Sequence, residues 1–445
     1  MSAAQNVAAR RTTSALGWIR RVQNLLVKRQ GEILAAVAMF TSPAVNLVYG
    51  VLVVRYLDPE MAGLISNASL LPVYLTFLHL GVLNGMQREL PYALGAGDNA
   101  RATRILQLTT LVGRLAGTVG ALICVGAGLV CLITHRPPLL AIAYFGSSFG
   151  ALAYQMNLQV DTGLRAENRF LRQGVAVISS SAISLITCIL IPLAGAKGAV
   201  ARGVLTSVGS IAVRLRTGIW RTDGNWDWKE LRALAKTGFP LLISGTLVSL
   251  MMVSDRTVVA IMLSHRDLGE IALAALIVNS MTLIPISLSV VLFPKIARAY
   301  GEHRSRRRLR RFVWISLLYN ATMLIPISAL AYFLIGPIVE NYFPKYAPGL
   351  PAARLACITC VFWVYMGVGS VIGVINRMTG YLCLFAFCLL LMYGLAAVLI
   401  HLGYGIIGAT WARLIGTILM CIFTIGYSLY MTAEDDVAKE ADAAK

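Results

Sequence analysis

Apolar residues fill blocks of about 20 along most of this chain, and short polar stretches separate them. A block of that length crosses a roughly 30 Å hydrocarbon core as a helix. Blocks such as Leu382 to Ile400 do not alternate, whereas a membrane barrel requires a ten-residue in/out alternation. The pattern predicts twelve helical spans, near 32–53, 62–84, 105–131, 139–158, 173–194, 196–213, 237–263, 271–293, 313–335, 352–375, 381–401 and 405–430. Pro72, Pro192, Pro240, Pro285 and Pro326 interrupt or start spans and would let them bend.

The chain also resembles itself. Leu57/Leu263, Gly63/Gly269 and Gly95/Gly301 are each 206 residues apart, and Gly163/Gly373, Gly195/Gly405, Gly198/Gly408 and Ala199/Ala409 are each 210 apart. Six spans precede a polar linker, so each half starts on the same side, as in a parallel repeat about an axis along the membrane normal. The expected organisation is a basic amphipathic segment at 1–31, a first bundle at 32–213, a linker at 214–236, a second bundle at 237–430 and an acidic tail at 431–445. The small residues in Gly195-x-x-Gly198 and Gly405-x-x-Gly408 suit close helix approach.

Composition agrees. Of 445 residues, 58% are hydrophobic and 13% charged, about half the charge of soluble domains. A net charge of +19 would suit nucleic acid, but the placement of the basic residues argues otherwise. Of the 39 Lys and Arg, five (Arg55, Arg136, Lys197, Arg266 and Lys345) fall on one face of the predicted topology. Five more lie within or at the margin of spans, and the remaining 29 fall on the opposite face. That asymmetry predicts a multi-pass protein of a bacterial-type inner (cytoplasmic) membrane with both termini cytoplasmic and no nucleic-acid partner. Residues 14–30 carry Arg20, Arg21, Lys28 and Arg29, so they read as a surface helix on membrane lipid rather than a cleaved signal. The run Arg306-Arg307-Arg308-Leu309-Arg310-Arg311 reads as an anchor on anionic lipid.

Candidate chemistry lies where polar groups enter the spans. Arg114, Arg202, Asp255, Arg256, Arg354 and Arg413 are the charges there, and each costs at least ~2.5–3.5 kcal/mol at a helix centre. Five cations cannot all pair with one anion, and a surplus of guanidinium suits an anionic cargo because its fork matches phosphate oxygens. Arg114 and Arg354 lie near span ends and could instead snorkel. Arg202 and Arg413 occupy similar places in the two halves. Asp255 and Arg256 point about 100° apart as helix neighbours and are candidates for the cavity, for ion coupling (Asp255) or for an interhelical pair. Asn46, Asn67, Asn84, Gln155, Asn157, Asn279, Asn320 and Asn376 default to interhelical hydrogen bonds, with Asn279 also a cavity candidate. Arg88, beside Asn84, could meet a lipid head group. No phosphate-binding Gly-x-x-x-x-Gly-Lys loop or metal-spaced His pair occurs, so no cofactor, metal or catalytic residue is expected. Cys357-x-x-Cys360 reads as packing.

Three stretches carry a family resemblance. Arg55-Tyr56-Leu57-Asp58-Pro59-Glu60-Met61-Ala62-Gly63-Leu64 resembles the first exterior loop of polysaccharide-biosynthesis flippases, in the superfamily that also holds multidrug/toxin exporters and lipid II flippases. Asp255-Arg256-Thr257-Val258-Val259, with Leu263 and Leu268-Gly269, is similar to their seventh span and loop, and Phe293-Pro294-Lys295-Ile296-Ala297 to the inner end of their eighth. The resemblance implies an all-α fold of two pseudo-symmetric six-helix bundles around a central V-shaped cavity. It implies a non-enzymatic flippase for a polyprenyl-pyrophosphate-linked oligosaccharide, with polysaccharide polymerase and export machinery as candidate partners. Arg202, Arg256 and Arg413 would hold the diphosphate, supported by Arg88, Arg114 and Arg354. An ion-coupled multidrug exporter is the rival reading. An integral-membrane glycan polymerase or ligase would need larger exterior loops than this chain has.

Overall fold

The computed structural model describes residues 34, 37, 38, 40–219, 226–285, 288, 296, 306–369, 371, 372 and 378–433, with the backbone alone at 306–308, 378 and 379. The expected basic segment at 1–31, Asn376, Gly301, Gly373, most of the stretch 293–297 and the tail beyond 433 lie outside the described residues, as does the middle of the linker.

The described residues form helices α1 (40–56), α2 (Pro59–Tyr74), α3 (Val82–Gly95), α4 (Asn99–Ile133), α5 (Pro138–Ala166), α6 (Phe170–Ile186) and α7 (Leu190–Leu215), followed by α8 (Trp228–Met262), α9 (His265–Glu270), α10 (Ala272–Met281), α11 (Arg306–Tyr342), α12 (Leu350–Val361), α13 (Met378–Leu399) and α14 (Gly405–Ala433). Nine segments among them are long and apolar enough to cross a bilayer. Two of these, Phe170–Leu215 and Gly380–Ala433, each fold back on themselves and hold two spans. Together with α1 they complete the twelve-helix, two-lobe fold of a multi-span membrane protein. The faces are called outer and inner after the charge asymmetry.

Local sequence sets the helix starts. The Asp98 carboxylate accepts the Arg101 amide, and Asp227 accepts the Lys229 and Glu230 amides, satisfying donors that a helix start otherwise leaves bare. Ser264 and Asp267 form a reciprocal capping box at α9. Pro59 and Pro138 open α2 and α5, where the missing amide proton costs nothing.

The repeat is visible in the backbone. Gly195 takes φ 55°, ψ −131°, and Gly405, 210 residues later, takes φ 53°, ψ −138°. Both sit at the outer reversal between the last two spans of their lobe, in a conformation that only glycine adopts freely. At the equivalent positions Gly63 and Gly269, the two lobes touch each other. A Cβ on Gly63 would overlap the His265 carbonyl, and one on Gly269 the Pro59 carbonyl.

α2/α9 therefore forms an outer seam between the lobes. Tyr346 closes it with a 3.1 Å hydrogen bond to the Leu57 carbonyl, and Lys345 with an exposed 2.7 Å pair to Asp58. An inner seam joins α3 to the start of α8, where a Cβ on Gly85 would overlap the Leu234 carbonyl and one on Gly238 the Gly81 carbonyl. Arg101 of α4 binds both Glu89 of α3 and Glu230 of α8 at 3.0 Å across that seam. α8 thus grips the first lobe at its inner half and the second lobe at its outer half.

The second span is discontinuous. α2 gives way to a 3-10 turn at Leu75–His79, Leu80 follows at φ 49° and Gly81 at φ 84°. A left-handed leucine is strained by roughly 1–2 kcal/mol, and neighbours hold it there. Gln155 of α5 donates to the Leu75 and Thr76 carbonyls, and the buried His79 Nδ1 accepts the Gly81 amide.

Candidate functional site

The charged groups sort into three environments. Arg202, on α7 and 7% exposed, is withdrawn into the first lobe. Its guanidinium lies 3.9 Å above the Tyr49 ring of α1. Its Nη2 donates to Ser184 Oγ at 2.6 Å, and its Nε faces the Ser184 carbonyl and Cys188 Sγ. All of these partners are neutral.

Arg413, on α14, is equally withdrawn into the second lobe but meets an acid. Its Nη1 donates to Asp255 Oδ2 of α8 at 2.7 Å, with the two side chains 3% and 0% exposed. The other carboxylate oxygen, Oδ1, accepts the backbone amide of Arg256 at 2.9 Å. Tyr49 and Asp255 are 206 residues apart, the spacing that also separates Gly63 from Gly269. The two buried arginines, one position apart in the repeat, are thus held by an aromatic ring in one lobe and by a carboxylate at the matched position in the other.

Arg256 stands in a third environment. It is half-buried, its Nε makes no hydrogen bond, and it lies within electrostatic reach of Asp255, Arg413 and Tyr74. Asp255 points away from it into the Arg413 pair. Ala260, one turn outward on the same helix face, lines a cavity of about 740 Å³ between the outer ends of the lobes, together with Asn67, Tyr144 and Arg136. Asn67 and Tyr74 share a face of α2 two turns apart. Arg256 and Tyr74 therefore lie below this cavity on the faces that line it.

Three hydroxyls join the lobes beside Arg256. Tyr74 of α2 donates to Thr257 Oγ1 at 2.6 Å and lies 3.0 Å from the Tyr393 hydroxyl of α13. Neither tyrosine stands out in the sequence, because an aromatic in an apolar span reads as packing. Tyr49 was equally hidden, although the 206-residue spacing that pairs it with Asp255 is a signal for it.

The other candidates are more scattered. Arg88 is exposed midway along α3, and Arg354 is exposed on α12 and lies 5.8 Å from the Tyr332 ring. Arg114 is half-buried on α4 and itself engaged. Asn279 is exposed on α10. Several other amides make interhelical bonds: Asn67 to Tyr144, Asn157 to Ser210 and Asn320 to the Val364 carbonyl. A further buried pair, Arg214 with Asp161 at 2.9 Å, ties α7 to α5. Cys357 and Cys360 are buried and free.

The sequence pattern of the family described as "Polysaccharide biosynthesis protein" matches residues 98–346, more than half of the chain and the part that contains Asp255 and Arg256. The chain belongs to that family. Among solved structures, this family member is similar to an inward-facing multidrug resistance MATE-family transporter of the MOP superfamily, with TM-score 0.73 and 16% identity over 89% of this chain and 98% of that one. It is also similar to an outward-facing MATE-family transporter of that superfamily, with TM-score 0.62 and 16% identity over 91% and 96%. A third likeness is to MATE in the straight conformation, with TM-score 0.62 and 16% identity over 90% and 94%. These likenesses establish the two-lobe fold of this polysaccharide biosynthesis protein. No curated protein matches its sequence.

Proposed function

We propose that this protein is a flippase for a polyprenyl-pyrophosphate-linked oligosaccharide. It would turn the glycan from the cytoplasmic to the periplasmic leaflet of the inner membrane by alternating access, for surface polysaccharide assembly, without catalysing a covalent step. The observation that carries the reading is Arg256. Arg202 and Arg413 each commit terminal nitrogens to partners, Arg413 leaving only its Nε unbonded, while the Arg256 guanidinium has no hydrogen-bond partner among the described residues and lies between the lobes. A diphosphate would supply the missing counter-charge through charge-assisted, fork-shaped hydrogen bonds. The polyprenyl tail stays in the bilayer, and the sugar passes through the opening between the lobes.

Arg202 contributes to this reading as fixed positive charge behind the site, Arg413 by holding the Asp255 carboxylate away from Arg256, and Arg88, Arg114, Arg354 and Asn279 as contacts along the path. Replacing Arg256 with alanine or glutamine should abolish glycan export while protein abundance in the membrane stays intact. Full complementation by Arg256→Ala would reject the reading. The rival, an ion-coupled multidrug exporter, draws support from the fold of the MATE structures. It would need an acid open to a cation or proton, and Asp255 is fully buried against Arg413. Drug resistance conferred by expression, with glycan export unaffected by deletion, would favour that rival.

A further inference from the structure

The hydroxyls of Tyr74, Thr257 and Tyr393 form one chain across the lobe boundary. Tyr74 donates to Thr257 Oγ1, and Thr257 donates to the Val253 carbonyl at 2.9 Å. Tyr393 donates to the Leu250 carbonyl at 3.3 Å or to the Tyr74 oxygen at 3.0 Å. Each hydroxyl owns one proton, and every one is already committed inside the chain. Tyr74 belongs to the first lobe, and Thr257 and Tyr393 to the second. The other side-chain hydrogen bonds between the lobes among the described residues lie at the outer seam (Tyr346, Lys345) or the inner seam (Arg101, Thr237).

We propose that this hydroxyl chain is a ligand-released latch, and that Tyr74 and Tyr393 are additional ligands for the anionic head group that Arg256 attracts. The inference rests on the diphosphate reading above. A phosphate oxygen beside Arg256 competes for the same tyrosine protons that hold α2 to α8. Hydrogen bonds to an ionised acceptor are roughly twice as strong as those between neutral groups, so the exchange favours the ligand. Once Tyr74 turns to the head group, Thr257 loses its cross-lobe donor and the mid-membrane tie is gone. Occupancy and lobe separation are thereby linked, because the ligand binds the unlatched arrangement better than the latched one. The inner seam, with its glycine contacts and its Arg101 network, stays as the pivot; the outer seam, tied by Tyr346 and an exposed Lys345–Asp58 pair, parts with the latch, and the outer cavity widens.

The test uses the full-length protein in nanodiscs, with spin labels carried by unnatural residues at Ile133 and Asn341, which are exposed at the outer ends of the two lobes. The probe is a polyprenyl diphosphate without sugar. In the wild type, adding it should lengthen the Ile133–Asn341 distance. Tyr74→Phe, which removes both cross-lobe bonds, should show the long distance before any addition, whereas Tyr393→Phe keeps the Tyr74–Thr257 bond and should stay short until the probe arrives; both should bind the probe about tenfold more weakly. Thr257→Val removes the acceptor without removing a ligand contact. Tyr74 can then reach across the lobes only to Tyr393, so a long-distance population should appear beside the short one unaided, and the probe should bind about threefold tighter because the latch competes less.

No long-distance population in unliganded Thr257→Val, or wild-type affinity in Tyr74→Phe, would overturn the latch. If the wild type ignores the probe, the diphosphate reading fails; if it binds the probe but Thr257→Val stays closed, only the latch fails. If Tyr74→Phe does not fold, Thr257→Val decides the question by its distances and Tyr393→Phe by its affinity for the probe.

Discussion

In the first lobe a buried arginine lies on an aromatic ring, and in the second lobe its counterpart lies on a carboxylate. Tyr49 and Asp255 occupy matched places in the repeat, and Arg202 over the one and Arg413 on the other stand one position apart in it. The first cradle keeps its net positive charge, held by the face of a ring and by hydroxyl and carbonyl dipoles. The second cancels its charge within the pair, and the neighbouring Arg256 restores one positive charge nearer the lobe boundary. The pair of lobes thus carries similar fixed charge, but only the second lobe presents a guanidinium that a ligand can complete. The pseudo-symmetric scaffold is made asymmetric at two adjacent matched positions, where Tyr49 and Gly50 of the first lobe correspond to Asp255 and Arg256 of the second.

The comparison is most sharply broken at Asp255. Asp255→Asn leaves Arg413 buried without its counter-ion, a change that costs about 3–5 kcal/mol. It should appear as a large fall in thermal stability in detergent and in membrane abundance. Replacing both partners, Asp255→Leu with Arg413→Met, should recover most of that loss, since two apolar groups of similar volume leave no charge unpaired.

The aromatic cradle is predicted to be weaker. Tyr49→Leu removes a desolvated cation–π contact of about 2 kcal/mol but leaves the Ser184 bonds of Arg202. It should lower the melting temperature less than Asp255→Asn does, and an equal fall would show that the two cradles are energetically alike. The smallest effect is expected at the outer seam. Lys345 and Asp58 are 64% and 55% exposed, and such pairs contribute about 0–1 kcal/mol. Lys345→Ala should leave the melting temperature within a degree or two. The half-buried Arg101 network of the inner seam should resist less well, and Arg101→Leu should loosen α3 from α8, as measured by amide exchange at the start of α8.

Much of the fold could be read from the sequence because lipid imposes simple rules. Blocks of about 20 apolar residues had to be helices, and the paired glycines at 195 and 405 marked a repeat that the matching backbone angles bear out. The Gly63/Gly269 spacing revealed the repeat, but not that the two glycines would meet each other across the lobe boundary. The candidate site was only half legible. Counting charges identifies Arg202, Asp255, Arg256 and Arg413 as residues needing partners, yet hydropathy cannot say which distant helix supplies them. Asp255 and Arg256 are neighbours in sequence, but the carboxylate is bound by Arg413 from the last span, and that leaves Arg256 without it. Tyr49, Tyr74 and Tyr393 were invisible for a related reason. Their rings satisfy the apolar pattern, and only the positions of their neighbours reveal that ring and hydroxyl do polar chemistry.

The most direct measurement is transbilayer movement of a polyprenyl-diphosphate-linked oligosaccharide in vesicles reconstituted with the purified protein. The wild type should accelerate it. Arg256→Gln, at unchanged melting temperature, should lose at least tenfold of that rate, and Arg256→Lys should retain part of it by keeping the charge without the fork. Arg256→Gln vesicles moving the lipid as fast as the wild type would contradict the account.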